Sequence, residues 1–200
     1  MFVWPDSAYA FLIGYLLGSV PFGLIFTWMA GEGDVRKIGS GNIGATNVLR
    51  TGNRWAAAAT LVFDAAKGAA AVLIGWHYFG EAGAIAGAIA ATLGHLFPIW
   101  LGFKGGKGVA VSLGILLSLY WPVGLLAAAT WLAAAALFRI SSLAALVASM
   151  AVPFYMLAFG FTDYALATLI IAVLIIVMHR DNIRRLVRGE EPKIGKSKAA

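Results

Sequence analysis

The sequence predicts an all-α membrane protein, a polytopic helical bundle of seven transmembrane helices with the N-terminus outside and the C-terminus in the cytoplasm. Three observations carry this. Apolar residues fill 61% of 200 positions and charged residues only 12%, with a mean hydropathy of +0.85, far too little polar surface to cover a soluble domain. The apolar residues gather into seven stretches. Threaded through a bilayer in order, those stretches leave every Lys and Arg except Lys67 on one face.

The stretches run over roughly 8–30, 55–76, 82–100, 109–121, 122–138, 143–160 and 163–179. The first lacks the basic leader and small-residue cleavage site of a signal peptide and carries Asp6, so it reads as a retained span. The fourth and fifth are split because one helix from Val109 to Phe138 would be about 45 Å long against a hydrocarbon core of ~30 Å, and Trp121-Pro122 offers the break. Charge agrees with the split. Arg36, Lys37, Arg50, Arg54, Lys104, Lys107, Arg139 and the basic residues from Arg180 to Lys198 all fall on the cytoplasmic side, whereas the outer segments carry only Asp6, Glu81 and Asp163. Trp4, Trp28, Trp55, Trp76, Trp100 and Trp121 fall near span ends, as an interfacial aromatic belt requires. Gly14 with Gly18, and Gly83 with Gly87, are small residues four apart that let helix backbones approach closely. Residues 1–200 read as one integral membrane domain whose short basic tail, about 185–200, lies on anionic headgroups. The absence of Cys excludes a disulfide framework, a thiolate nucleophile and Cys metal sites.

Three polar segments interrupt this pattern on the cytoplasmic side. The first contains Gly39-Ser40-Gly41-Asn42-Ile43-Gly44-Ala45-Thr46-Asn47 and then Arg50. Its spacing satisfies GxGxxG, but no strand precedes it, so a dinucleotide fold is discounted. What remains is either a flexible polar loop or an anion-binding nest of backbone N–H groups, with Ser40, Asn42, Thr46 and Asn47 as added donors. The second runs from Gly94-His95 through Lys104-Gly105-Gly106-Lys107-Gly108. It is not a P-loop, yet two Lys among three Gly suit a phosphate. His95 reads as a packing histidine if taken alone. The third is His179-Arg180-Asp181-Asn182 at the end of the last span. Its Arg residues serve as a positive-inside stop, whereas His179 and Asn182, three apart on one helix face, are unnecessary for that. Asp64 and Lys67, inside the second span, read either as a structural ion pair or as the lining of a polar cavity.

Together these three segments resemble the motifs of the acyl-phosphate:glycerol-3-phosphate acyltransferase family, PlsY, in order and from the first span to about Gly189. The resemblance implies a bacterial inner-membrane enzyme that transfers a fatty acyl group from acyl-phosphate to the sn-1 hydroxyl of glycerol-3-phosphate. The products are lysophosphatidic acid and phosphate, in the first step of phospholipid synthesis. It implies Ser40, His95 and His179 as catalytic residues. Substrate binding falls to Gly41, Asn42, Thr46, Asn47, Arg50, Lys104, Gly105, Gly106, Lys107, Gly108 and Asn182. No cofactor, metal or nucleic acid is implied, and functional coupling to the enzyme that makes acyl-phosphate is. The residues suit that reaction, because two phosphorylated anions demand clustered cations and N–H donors. No His-x4-Asp signature occurs at His77, His95 or His179, so a local His-Asp base is not encoded, and no paired-Asp motif for magnesium is present. The alternative is a transporter of an organic phosphate, disfavoured because the motif chemistry gathers at one face without an inverted repeat.

Overall fold

The structure, a computed structural model, describes residues 4–195, with the side chains of Trp4 and Pro5 outside the description. All regular elements among the described residues are helical: α1 Trp4–Gly18, α2 Phe22–Met29, α3 Ala45–Val48, α4 Arg54–Leu96, α5 Val109–Phe138, α6 Ser141–Ala158, α7 Thr162–Met178 and α8 Arg180–Val187, with short 3-10 turns between. Four stretches are long and apolar enough to cross a membrane, Asp6–Met29, Arg54–Leu101, Val109–Phe138 and Ser141–Ala158. A fifth is the pair α7 and α8, bent by 62°.

The breaks inside the long helices fix the architecture. The first apolar stretch is not one helix: it stops at Gly18 and restarts at Phe22, because Pro21 has no N–H to donate and disfavours helix at the residue before it. Within α4, Gly80 adopts φ 65° and ψ −159°, a region open essentially to glycine alone, and the chain reverses there. The second arm ends at Leu96, short of the expected Trp100, since Pro98 follows. Within α5, Tyr120 is extended at φ −158° and ψ 99°, one residue ahead of the Trp121-Pro122 break that the sequence indicates. The chain divides after Tyr120 into two compact units.

In the first unit the arms of α4 form an antiparallel hairpin in which Gly75 faces Gly83 and Ala71 faces Gly87. Helix α1 runs beside the second arm, with Gly14 against Gly87, Gly18 against Ala91 and Gly94 against Tyr15 and Ser19. The first arm of α5 lies along the other side of the hairpin, Gly114 meeting Ala65 and Gly68 meeting Val111. Both predicted glycine pairs therefore stand at helix contacts, where backbones touch directly. In the second unit α6 and α7 pack together, and Thr130 and Tyr155 hydroxyls pair at 2.9 Å. Outward faces are apolar: Leu61, Val62, Leu73, Leu166, Leu169 and Val173 are exposed, and so are Trp28, Trp55, Trp76, Trp100 and Trp121. An apolar exterior of this extent is the surface of a chain dissolved in lipid.

A Cβ at Gly14 would stand 2.7 Å from the Gly87 carbonyl oxygen and 3.1 Å from the Ala90 Cβ. Gly14→Val is expected to lose about 1–3 kcal/mol to overpacking, more than the ~0.5–1 kcal/mol that removing a helical glycine returns. Thermal unfolding in detergent checks this, and a melting temperature at or above wild type would contradict the contact.

Candidate active site

The first loop is organised around one buried carboxamide. Asn47 shares its Nδ2 hydrogens among the carbonyls of Val35 (2.9 Å), Ile38 (3.2 Å) and Asn42 (2.8 Å). Its Oδ1 accepts from the Ser40 backbone N–H (3.0 Å) and from Arg50 Nη1 (3.1 Å). Ser40 and Arg50, ten positions apart in sequence, are thereby held by the same atom. Gly39, at φ 56°, makes room: a Cβ there would stand 2.7 Å from Arg50 Nη1. Beneath the loop Phe26, Val35, Ile43, Val48, Ala56 and Ala57 form an apolar cluster, and Leu101 from the start of the second loop packs against it. Both loops thus stand on one end of the first unit. Asp34, at the entrance, takes a two-pronged contact from the Arg36 guanidinium, 2.9 Å at Nε and 2.7 Å at Nη2. That hydrogen bonding, helped by the Arg36 backbone N–H, holds the Asp34 carboxyl down at about 2.

Three backbone N–H groups of this loop turn inward. Ser40 N–H serves Asn47, Gly41 N–H serves Ile38 at 3.0 Å, and Gly44 N–H serves the Asn42 side chain at 2.8 Å. These donors are spent on shaping the loop. What the loop presents outward is the Ser40, Thr46 and Arg50 side chains, all three exposed.

The second loop is pinned in the same manner. Gly105 and Gly106 donate their N–H groups to the Leu96 and His95 carbonyls at 3.0 and 2.9 Å, so here too the glycines supply close approach rather than free donors. Trp100 Nε1 donates to the Ser19 carbonyl at 2.8 Å, and the Tyr15 hydroxyl to that of Phe97 at 2.7 Å. Lys104 is exposed, Lys107 half-buried and Gly108 buried, with φ 87°. His95 is buried directly below. A Cβ on Gly106 would collide with its Nε2, while its Nδ1 lies 3.7 Å from Asp64 Oδ1. Asp64 in turn pairs with Lys67 at 2.6 Å. A His-Asp juxtaposition is therefore built, not by local spacing but by the hairpin about Gly80, which sets Asp64 opposite His95. The sequence reading treats Asp64 and Lys67 as separate from the loops; the fold joins them.

His179 and Asn182 belong to the second unit. They do not continue the α7 face, because the helix bends at His179, whose φ and ψ are −95° and 8°. The buried His179 ring sets Nδ1 2.8 Å from the Ile175 carbonyl, so Nδ1 carries the proton. Asn182, in the first turn of α8, donates to Glu191 Oε1, a residue that sequence reasoning missed. The same carboxylate accepts from Ser142 (2.7 Å) and Arg185 (2.6 Å), and Ile194 N–H reaches the Arg139 carbonyl at 2.7 Å. Burial pushes the Glu191 carboxyl up, but those three donors and the Arg185 charge outweigh it and leave it lowered. The tail from 190 to 194 accordingly folds back on its own unit; Lys196 and Lys198 fall outside the described residues.

The sequence profile described as glycerol-3-phosphate acyltransferase matches residues 8–189. The chain belongs to that family. Among its curated relatives, the glycerol-3-phosphate acyltransferase of Maricaulis maris is 59% identical over 93% of this chain and 86% of its own length. That of Mesorhizobium japonicum is 58% identical over 93% and 95%. Two solved structures superpose on the fold, both of the integral membrane glycerol 3-phosphate acyltransferase PlsY (YgiH). Its glycerol 3-phosphate form gives a TM-score of 0.90 at 34% identity, covering 94% of this chain and 96% of that one. Its lysophosphatidic acid form gives 0.88, also at 34% identity, over 94% and 95%. This acyltransferase-family chain is thus a multi-pass membrane protein with its three motifs on described, well-packed elements.

Asn47→Ala strands three carbonyls and two donors, each costing about 1–3 kcal/mol where buried. The variant is expected to lose nearly all activity while α1, α4 and α5 persist. Limited proteolysis checks it, with new cleavage confined to residues 34–53; an uncleaved, active variant would contradict the role of Asn47.

Proposed function

We propose that the chain transfers a fatty acyl group from acyl-phosphate to the sn-1 hydroxyl of glycerol-3-phosphate, releasing lysophosphatidic acid and phosphate. The family membership carries the coarser statement, acylation of glycerol-3-phosphate. The observation that favours the finer one is the shared Asn47 Oδ1, which ties the backbone of the exposed Ser40 and the exposed Arg50 guanidinium to one atom, a hydroxyl and a cation suited to an anhydride phosphate. Arg50, Lys104 and Lys107 supply positive charge to the two phosphorylated substrates. Gly105, Gly106 and Gly108 let the phosphate of glycerol-3-phosphate lie against backbone, and Gly41, Asn42, Thr46 and Asn47 shape the cradle of the donor head. His95 in the first unit, and His179 with Asn182 in the second, order the polar groups around them, with the acyl chain lying between helices.

Acyl-phosphate is a mixed anhydride, so the substrate hydroxyl attacks its carbonyl directly and phosphate leaves. The proton passes to the departing phosphate, which needs no protein base. Ser40 acts as hydrogen-bond donor to the acyl-phosphate; no base in its loop activates it as a nucleophile. The test uses purified protein in detergent with both substrates. Stoichiometric phosphate and lysophosphatidic acid are expected without a sealed membrane, a result no transporter gives. Enzyme quenched with acyl-phosphate alone is expected to carry no acyl mass; an adduct on Ser40 that transfers at the turnover rate would overturn direct attack.

The same reading places the chain in the bacterial cytoplasmic membrane with seven crossings, N-terminus outside and the site on the cytoplasmic face. Support comes from the reversal at Gly80 and the break in the helix at Tyr120, together with the one-sided basic residues. A reporter fused after Lys198 is expected to be active only inside the cell, and activity only outside would sink this topology.

A further inference from the structure

Asp64, Lys67 and His95 are 2%, 5% and 4% exposed, which makes them a charged cluster inside an apolar bundle. Stability alone is a weak reason for it, since desolvating an ion pair costs as much as the pairing returns and an apolar pair of the same volume packs as well. Two things this cluster does are beyond an apolar substitute. Lys67 Nζ donates to the Val20 carbonyl at 2.7 Å, satisfying the backbone where α1 breaks, and sits 5.6 Å from the centre of the Phe22 ring. Asp64, fixed by Lys67, sets its Oδ1 opposite His95 Nδ1 at 3.7 Å.

The imidazole has a second neighbour. Its Nε2 faces Gly106 so closely that a Cβ there could not fit, and the Gly106 N–H is bonded to the carbonyl of His95 itself. The ring is wedged between a carboxylate below and the Lys-Gly loop above. The ring thus meets the carboxylate on one side, at 3.7 Å and without a hydrogen bond, and the Gly106 backbone on the other.

We propose that Asp64 and Lys67 are positioning residues for glycerol-3-phosphate: through the His95 ring they set the height of the Gly105-Gly106 stretch and hence where Lys104 and Lys107 meet the substrate phosphate. This rests on the reading that the second loop holds glycerol-3-phosphate. It differs from simple charge neutralisation because what matters is the place of an oxygen atom, not the presence of a charge.

Two variants separate the ideas. Asp64→Glu keeps the charge and displaces the oxygen by a methylene. Asp64→Asn with Lys67 retained removes the carboxylate charge, leaves an oxygen in place and keeps the Lys67 bond to the Val20 carbonyl. Kinetics in detergent are expected to give D64E a KM for glycerol-3-phosphate raised about 10- to 100-fold, the scale of a displacement near 1 Å, with the KM for acyl-phosphate unchanged. D64N is expected to keep its KM for glycerol-3-phosphate within about threefold of wild type, near the scatter of one modest interaction. A wild-type KM in D64E, or equal defects in both variants, overturns the proposal. If D64E does not fold by thermal melt, Asp64→Leu takes the oxygen away and replaces it in the comparison; if that also fails to fold, the cluster is a stability element and the proposal is wrong. Wild-type enzyme assayed in parallel keeps the two readings apart, because absent wild-type turnover would condemn the activity and not the positioning.

Discussion

The carbonyl oxygens released where α1 breaks ahead of Pro21 set the terms for the first unit. In a lipid-facing bundle no water stands by to satisfy them, and each one left bare costs several kcal/mol. The chain answers with side chains from distant elements: Trp100 reaches Ser19, and Lys67 reaches Val20. Each answer has a second effect. Trp100 lies at the start of the Lys-Gly loop and ties it to the break. Lys67 brings with it Asp64, and Asp64 faces His95. A local defect in one helix is thus the origin of the contacts that hold the second loop.

The same economy governs the first loop. A carboxamide has four hydrogen-bonding sites, and Asn47 spends all of them on backbone and on Arg50. Glycines at positive φ, Gly39 and Gly41, let the chain turn tightly enough for this to happen. The reward is a loop that needs no regular structure to hold a hydroxyl and a guanidinium in register, which is the condition for placing charge without reorganisation at the moment of reaction.

Much of this was legible in the residues. Hydropathy located the helices, the Trp121-Pro122 break was read within one residue, and the paired glycines marked helix contacts. The motifs named the family. What could not be read was which donors remain open, because a glycine-rich spacing says that N–H groups are accessible but not that neighbouring carbonyls will claim them, as Ile38 and Leu96 do. The partnership of Asp64 with His95 was hidden for a different reason: it depends on Gly80 as the pivot, and a single glycine in an apolar run does not announce a reversal. Glu191 was overlooked because a carboxylate in a polar tail looks like any solvated charge until Ser142 and Asn182 are found around it.

Glu191 also carries a lesson about the order in which the molecule is made. Ser142 and Asn182 acquire their shared carboxylate only after synthesis has passed residue 191, and Arg139 receives Ile194 later still. The helices α6 to α8 can enter the bilayer before that, but the clasp that fixes the Asn182 amide cannot close. The Asn182 amide is thus ordered by a carboxylate that is synthesised after the helix carrying it, so α8 can form before the contact that fixes its first turn is available.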